Sequence, residues 1–434
     1  MLRAGHAVAL CTLALLTLGV VMVTSAGLNV RPIGPAGVTE GYGPSSAGAM
    51  FASIVLSRTG MYMALAVGAM WLASVMPLRG FAQAAARPVG DRRLLLAMSV
   101  GVLAMLAMLA LVYLPGVGRE VNGSSRWFEL PLPGAGRLSV QPSEIVKWGM
   151  IALLAWYCVA RADRLGRFRA GVLPGLAILG VLSAVVLIED LGTGVLIGSV
   201  GCLLMLAAGC RIKHFLLFAP LGLFAVGMAI WTSPYRLRRL VAFLDPYADT
   251  TDTGYQMIQS LGAISGGGGL GRGLGHGIQK LGYLPEDQTD FVFAIICEEL
   301  GIVGAVLVAA LFMGLLWFGL TIVRREPAAM LKLVGLGVLL TIGLQMIMNL
   351  FVVTGLGPTK GIALPLLSAG GTGWVLTAAA LGLLVGMDRA HARGALRAPD
   401  PLADRAHERQ AQLRTAPIPE IVVTRKTARG VRAR

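Results

Sequence analysis

The chain has 434 residues, 56% of them hydrophobic and only 14% charged, which is far too apolar for a soluble globular protein of this size. Its net charge of +15 would suit nucleic acid in a soluble chain; in a membrane protein it reports topology instead. The five cysteines (Cys11, Cys158, Cys202, Cys210 and Cys297) lie in or beside apolar runs with no C-x-x-C pair. They read as small buried hydrophobes, not as a disulfide framework or a zinc site.

Ten apolar runs are long enough to span a bilayer at about 1.5 Å per residue. They lie near 7–28, 52–77, 94–114, 144–160, 170–188, 191–209, 214–231, 291–322, 331–352 and 371–387. The first follows Arg3 and has no small-x-small cleavage site, so it reads as a retained span. Only Glu189 and Asp190 separate the fifth run from the sixth.

Loop charge sets the orientation. With a cytoplasmic N-terminus, the inner loops hold Arg79, Arg87, Arg92 and Arg93, then Arg161, Arg164, Arg167 and Arg169, then Arg211 and Lys213, then Arg324, Arg325 and Lys332. The tail after 388 is also basic, and most of the 37 lysines and arginines then lie inside. The positive-inside rule therefore predicts an all-α polytopic membrane protein of about ten transmembrane helices with both termini cytoplasmic. Residues 1–388 form the membrane domain, with a large extracytoplasmic loop, 232–290, between spans seven and eight. The basic tail, 389–434, has little apolar pattern and is expected to be disordered. The other outer segments are 29–51, 115–143 and 353–370.

Candidate chemistry lies on the outer side. Asp290 ends the polar interval 245–290, at the mouth of the eighth span. An acid there is a functional candidate by default. Partial desolvation would make it a general base, while the helix N-terminus favours its anion. The plainer reading is a helix cap by Thr289 or Asp290. Glu298 and Glu299 lie further along the same helix, where acids are costly. Neighbours about 100° apart cannot both face one way, so an ion pair and a catalytic role stay open.

Gln141-Pro142-Ser143-Glu144 opens the fourth span as a cap, and Glu144 can pair with Lys147 at i,i+3. A lysine a turn inside an apolar run needs a counter-ion or an anionic ligand. Arg236, Arg238 and Arg239 break the positive-inside trend; with Arg126, Arg137 and Lys147 they could form a phosphate surface or touch headgroups. The glycine run 266–277 contains G-x-G-x-x-G at Gly266, Gly268 and Gly271, but no strand precedes it and there is no Walker A lysine. It reads as a flexible loop over a cleft, with backbone N–H groups able to bind phosphate. Asn349, Thr354-Gly355 and 358–371 suggest a broken stretch lining a cavity.

Read together, these motifs resemble the SEDS family (shape, elongation, division and sporulation) of FtsW, RodA and SpoVE, over residues 7–388. The resemblance rests on Val20 to Ala26, Arg126-Trp127, Gln141 to Glu144 with Lys147, Asp190 to Thr193, and Tyr235-Arg236 with Arg239. It continues through Phe243 to Pro246, Gly254 to Gln256, Gln259-Ser260, Gln279-Lys280, Tyr283 to Glu286, Thr289 to Phe291 and Glu298 to Gly301. It closes with Asn349, Thr354-Gly355, Pro358, Lys360-Gly361, Leu364-Pro365, Ser368, Gly370 and Gly371.

The resemblance implies a peptidoglycan glycosyltransferase of the bacterial inner membrane. Such an enzyme polymerises lipid II, its partners being a class B penicillin-binding protein transpeptidase and other divisome or elongasome proteins, with no nucleic acid. It makes Asp290 the general base on the acceptor GlcNAc 4-hydroxyl, with undecaprenyl pyrophosphate leaving. It implies substrate contacts by Arg126, Glu144, Lys147, Arg236, Arg239, Gln256, Lys280 and Ser368, with Glu144 orienting Lys147. It names no definite cofactor; a divalent cation, magnesium or manganese, could stabilise the pyrophosphate. The wording around Gln279-Lys280 and the long tail lean toward the division type. The alternatives are a lipid II flippase and a non-catalytic scaffold that activates a penicillin-binding protein. This sequence departs from the family pattern at Gln288, where histidine is usual, and at Glu189, where proline is common. It also departs at Ala369 and Thr372-Gly373, and in a longer interval between Arg126 and Gln141.

Overall fold

A computed structural model describes residues 3–27, 57–87, 89–114, 118–121, 124–132, 136–250, 253–369 and 371–392. The expected outer segment 29–51 and the tail from 393 lie outside the described residues.

Thirteen α-helices form among the described residues. They are α1 (Ala4–Ala26), α2 (Arg58–Val75), α3 (Leu78–Ala85), α4 (Asp91–Ala110), α5 (Pro142–Ala160), α6 (Leu173–Glu189) and α7 (Leu191–Ala207), then α8 (Ile212–Trp231), α9 (Pro234–Leu244), α10 (Thr253–Gly267), α11 (Val292–Arg325), α12 (Ala329–Val353) and α13 (Thr372–Ala392). Each expected apolar run falls on a helix. Eight helices are long and apolar enough to cross a membrane, and α2 with α3, bent by 61°, makes up to nine. Pro77 stands at that bend and removes a backbone donor. The run at 191–209 becomes α7, a shorter apolar helix of 17 residues.

Close approach of α6 and α7 shows why glycine recurs in these helices. A Cβ at Gly194 would sit 2.6 Å from Leu187 Cα, and one at Gly201 would sit 2.3 Å from a Leu179 methyl. Small residues let two backbones touch where the hydrophobic effect cannot drive helices together. The Ser183 hydroxyl adds a bond across this seam to the Gly194 carbonyl (2.7 Å).

Two apolar clusters fill the interior. One joins α1, α2, α11, α12 and α13, and the other joins α4, α5, α6 and α7. By contrast, α8 has no buried residue. All five cysteines are free, with Cys158, Cys210 and Cys297 buried as expected.

The basic connectors gather at one end of the bundle. Asp91, at the start of α4, receives Arg161 (3.1 Å) and Arg164 (2.7 Å) from the end of α5. The connectors at the opposite end hold the site described below.

One element was not anticipated. Three strands, β1 (Gly118–Val121), β2 (Ser124–Leu132) and β3 (Gly136–Val140), form an antiparallel sheet in the order β1-β2-β3. Asn122-Gly123 in the sequence between β1 and β2 is a strong hairpin signal. The sheet docks on the bundle through Ser139 N, which donates to the Tyr62 hydroxyl (3.2 Å).

Candidate active site among five helix starts

Residues at or just before the N-termini of α5, α7, α9, α11 and α13 line one cavity of about 340 Å³. Its lining includes Glu144, Asp190 to Thr193, Tyr235-Arg236, Asp290 and Gly373-Trp374, with the irregular segment 358–369 as a further wall. Helix starts present unpaired N–H groups and partial positive charge, so this convergence favours a bound anion.

Asp190 makes the reversal between α6 and α7 possible. It is 6% exposed and caps α7, accepting from Thr193 N (3.0 Å) and the Thr193 hydroxyl (2.8 Å). The two-residue hairpin expected at Glu189-Asp190 is thus a capped turn at the cavity edge.

Glu144 lies in the first turn of α5, and Lys147 lies one turn further in. Their spacing brings Nζ to 2.7 Å from Glu144 Oε1, the pairing expected from i,i+3. Lys147 is 2% exposed and also donates to Gln345 Oε1 (3.0 Å). Glu144 lines the cavity directly, whereas Lys147 stands behind it.

Asp290 lies in the turn that precedes α11. The N-cap position is Phe291, which gives no side-chain cap, and the Thr289 hydroxyl bonds Glu286 instead. The Asp290 carbonyl accepts from Asn349 Nδ2 (2.8 Å), and a Cβ at Gly361 would come 3.3 Å from Asp290 Oδ2. The carboxylate therefore sits against the 358–369 wall. Beside it in sequence, burial pushes the Asp287 carboxyl up to about 6.

Three cations line the same cavity: Arg236, Arg239 and Lys360. Arg236 donates to the carbonyls of Ala229 and Ile188, which fixes α9 to the ends of α8 and α6. Arg239 donates to the Thr359 carbonyl (3.1 Å) and lies over the Tyr235 ring. Lys360 was quoted above only as part of a motif, and its place in the cavity was not anticipated. Burial lowers its pKa from the ordinary lysine range, and nearby Asp190 opposes that shift.

The other expected contacts are dispersed. Ser368 lines the cavity, but its hydroxyl is engaged by Leu364 N (2.7 Å), closing a tight turn. Gln256 lies on α10 and is not among the lining residues. Arg126 is on β2, next to the lining residue Trp127, and its side chain lies outside the described ones. Lys280 is buried away from the cavity, donating to Glu299 Oε1 (2.7 Å) and to the Ser25 hydroxyl (2.9 Å).

The glycine run departs from the open loop that was expected. At Gly301 the backbone of α11 breaks, with φ 65° and ψ −158°. The break frees carbonyls before it and amides after it, and the glycine run supplies both kinds of partner. Arg272 N and Gly273 N donate to the carbonyls of Glu298 and Glu299 (both 3.0 Å), while Ile302 N donates to Gly268 O (3.1 Å). The side chains complete the clasp. Glu298 accepts from Ile278 N (2.9 Å) and Gln279 N (3.2 Å), and Glu299 accepts from Gly275 N (3.0 Å) and Gly277 N (3.3 Å). The loop amides do bind anions, but the anions are the chain's own glutamates. Both acids meet the same loop because it wraps across the two faces they present.

Among the described residues, no three of His, Cys, Asp or Glu lie close enough to hold a metal ion. The cavity carboxylates Glu144, Asp190, Glu286 and Asp290 therefore form no all-protein cage for a divalent cation.

The sequence pattern of the FtsW/RodA/SpoVE cell cycle protein family matches residues 6–393. The chain belongs to that family. The stage V sporulation protein E of Bacillus subtilis is 42% identical over 287 residues, covering 65% of this chain and 76% of that protein. The probable peptidoglycan glycosyltransferase FtsW of Geobacter sulfurreducens is 35% identical over 331 residues, covering 76% of this chain and 84% of its own. A chain of a peptidoglycan synthase complex, solved for its coordination of polymerization and crosslinking, superposes with a TM-score of 0.60 at 26% identity. That match covers 88% of this chain and 96% of the other. The rod shape determining protein RodA of Thermus thermophilus shares the fold, with a TM-score of 0.53 at 23% identity over the same shares. This SEDS protein is a multi-pass protein of the inner membrane.

Proposed function

We propose that this SEDS protein is a peptidoglycan glycosyltransferase that polymerises lipid II, with Asp290 as its general base. One observation carries the reading: Asp290 and three other carboxylates share a single cavity with three cations, and residues at five helix starts line it. The volume falls within the roughly 300–1,000 Å³ range of small-molecule sites. By loop charge the cavity is on the outer face, where a lipid-linked disaccharide is presented.

In the reaction, Asp290 takes the proton of the acceptor GlcNAc 4-hydroxyl. That oxygen forms a bond to the anomeric carbon of the donor MurNAc. The bond from this carbon to the pyrophosphate oxygen breaks, and undecaprenyl pyrophosphate leaves with the electron pair. Pyrophosphate is a weak base and needs no acid to depart, so the leaving charge is the main demand on the site. Arg236, Arg239 and Lys360, backed by the helix starts, meet it. Glu144 holds Lys147 at the rear wall. Gln256 stands outside this lining, the Arg126 side chain lies outside the described ones, Ser368 closes the turn at Leu364, and Lys280 serves as the partner of Glu299.

The membrane domain has ten spans if α7 and the bent α2–α3 pair each count as one, with both ends cytoplasmic and 232–290 outside. The tail from 389 is a separate basic segment. The relatives named FtsW favour the division side over elongation. The synthase complex that resembles this chain supports a class B penicillin-binding protein as partner. A transporter would need working acids deep in the membrane. Glu298 and Glu299 are already engaged by loop amides and Lys280, which favours the enzyme.

The test is polymerisation of lipid II by the purified protein with such a partner. The wild type makes glycan strands, and Asp290→Asn loses about 10²–10⁴-fold in rate, the usual share of a general base. Strands made equally well by Asp290→Asn would remove the base assignment. Absence of strands from the wild type, with lipid II crossing vesicles, would favour transport.

A further inference from the structure

Helix α12 carries two carboxamides one turn apart, Gln345 and Asn349, which are 9% and 1% exposed. A buried amide costs free energy unless it is hydrogen-bonded. The bonds that offset this cost all run to the site. Gln345 Oε1 accepts from Lys147 Nζ (3.0 Å), and its Nε2 donates to the Ala363 carbonyl (2.8 Å). Asn349 Nδ2 donates to the carbonyls of Asp290 (2.8 Å) and Ile362 (2.7 Å). Two consecutive carbonyls of the irregular cavity wall are therefore each held by one side chain of a regular helix. The same two side chains hold the lysine on one side and the acid's backbone on the other.

We infer that Gln345 and Asn349 are positioning residues that set where Asp290 stands relative to Lys147 and the 358–369 wall. The inference rests on the reading of Asp290 as the base. The wall has no regular secondary structure of its own; amides within it meet the Lys360 and Leu364 carbonyls, while the Ile362 and Ala363 carbonyls are met by the side chains of Asn349 and Gln345. Asp290 lies in a turn, and its backbone carbonyl is bound through Asn349 to a long helix. Both bonds of Asn349 use its single amide nitrogen; its Oδ1 is buried with no hydrogen-bond partner among the described residues, so donation is the function this side chain performs. A residue of similar size without the donor releases the Asp290 turn and the wall together. Neither carboxamide needs to touch the reacting atoms for this role.

The experiment measures strand synthesis by the purified protein with its transpeptidase partner across lipid II concentrations. Asn349→Leu should lower kcat by about 10–100-fold, the cost of misplacing a reacting group by around 1 Å, with KM changed by less than about three-fold. Adding Asn349→Leu to Asp290→Asn should cause no further loss, because residues that act as one unit are not additive. Gln345→Glu keeps an acceptor for Lys147 but loses the donor to Ala363. It should lower kcat per folded molecule by about 3–10-fold with KM changed by less than about three-fold, and it decides the matter if Asn349→Leu does not fold. Wild-type kcat in Asn349→Leu or, where that variant does not fold, in Gln345→Glu would overturn the inference. So would losses that multiply in the double variant. Neither result would touch the base assignment, which fails only if Asp290→Asn itself stays active.

Discussion

Two acidic groups flank the first turns of α11 and have opposite surroundings. Asp290 borders an open cavity shared with Arg236, Arg239 and Lys360. Glu298 and Glu299, only eight and nine residues on, are 1% and 0% exposed, and Glu299 alone accepts from Ser25, Lys280, Gly275 and Gly277. The first acid lines a cavity, and the second pair is enclosed by the fold. An acid at a membrane helix is thus a candidate site where it borders a cavity, as Asp290 does, and a structural group where loop amides and a lysine enclose it, as they do Glu299.

The closed cluster can be broken from within. Glu299→Ala strands the buried Lys280 ammonium, and losing one partner of a buried ion pair costs about 3–5 kcal/mol. Thermal or denaturant unfolding in detergent should show that loss, with strand synthesis per folded molecule close to wild type. A smaller effect is expected at the helix break. Gly301→Ala forces an alanine into a conformation reserved for glycine and puts its Cβ 2.4 Å from Gly271 N, so it should cost at least about 1–3 kcal/mol. Hydrogen exchange would register it as faster exchange at Arg272 and Gly273. On the cavity side, Asp190→Ala removes the cap of α7 and should cost about 0.5–2 kcal/mol. Because Asp190 also faces Lys360, this variant should lower synthesis as well, which Glu299→Ala should not.

The smallest effect is a pH dependence between the two regions. Burial raises the folded pKa of Asp287 from 3.8 to about 6. The neutral acid is favoured in the folded state, so its contribution to stability is present below about 3.8 and is lost as pH rises through 6. Asp287→Asn should flatten that part of the melting-temperature profile and raise stability at pH 7. A profile with the same slope as the wild type would contradict the assignment.

Much of this was legible in the sequence. Apolar runs located the helices, and loop arginines predicted which connectors share an end. The Glu144–Lys147 spacing foretold a bond, because i,i+3 neighbours on a helix must meet. Long-range partners were not legible. No local pattern says that the glycine run folds onto a break at Gly301, or that Lys280 belongs to Glu299. Asn349 stood out as part of a stretch lining a cavity, but its partners and those of Gln345 did not, since they lie on other segments. The sheet at 118–140 was missed although Asn122-Gly123 announced a turn, because apolar content dominated the reading.

The comparison is tested most directly by one paired measurement, in which Asp290→Asn and Glu299→Gln are assayed side by side for strand synthesis and melting temperature. The account predicts that Asp290→Asn loses synthesis by about 10²-fold or more while melting like the wild type. It predicts that Glu299→Gln melts lower while each folded molecule still makes strands. Full synthesis by Asp290→Asn, or loss of synthesis by a normally folded Glu299→Gln, would contradict it.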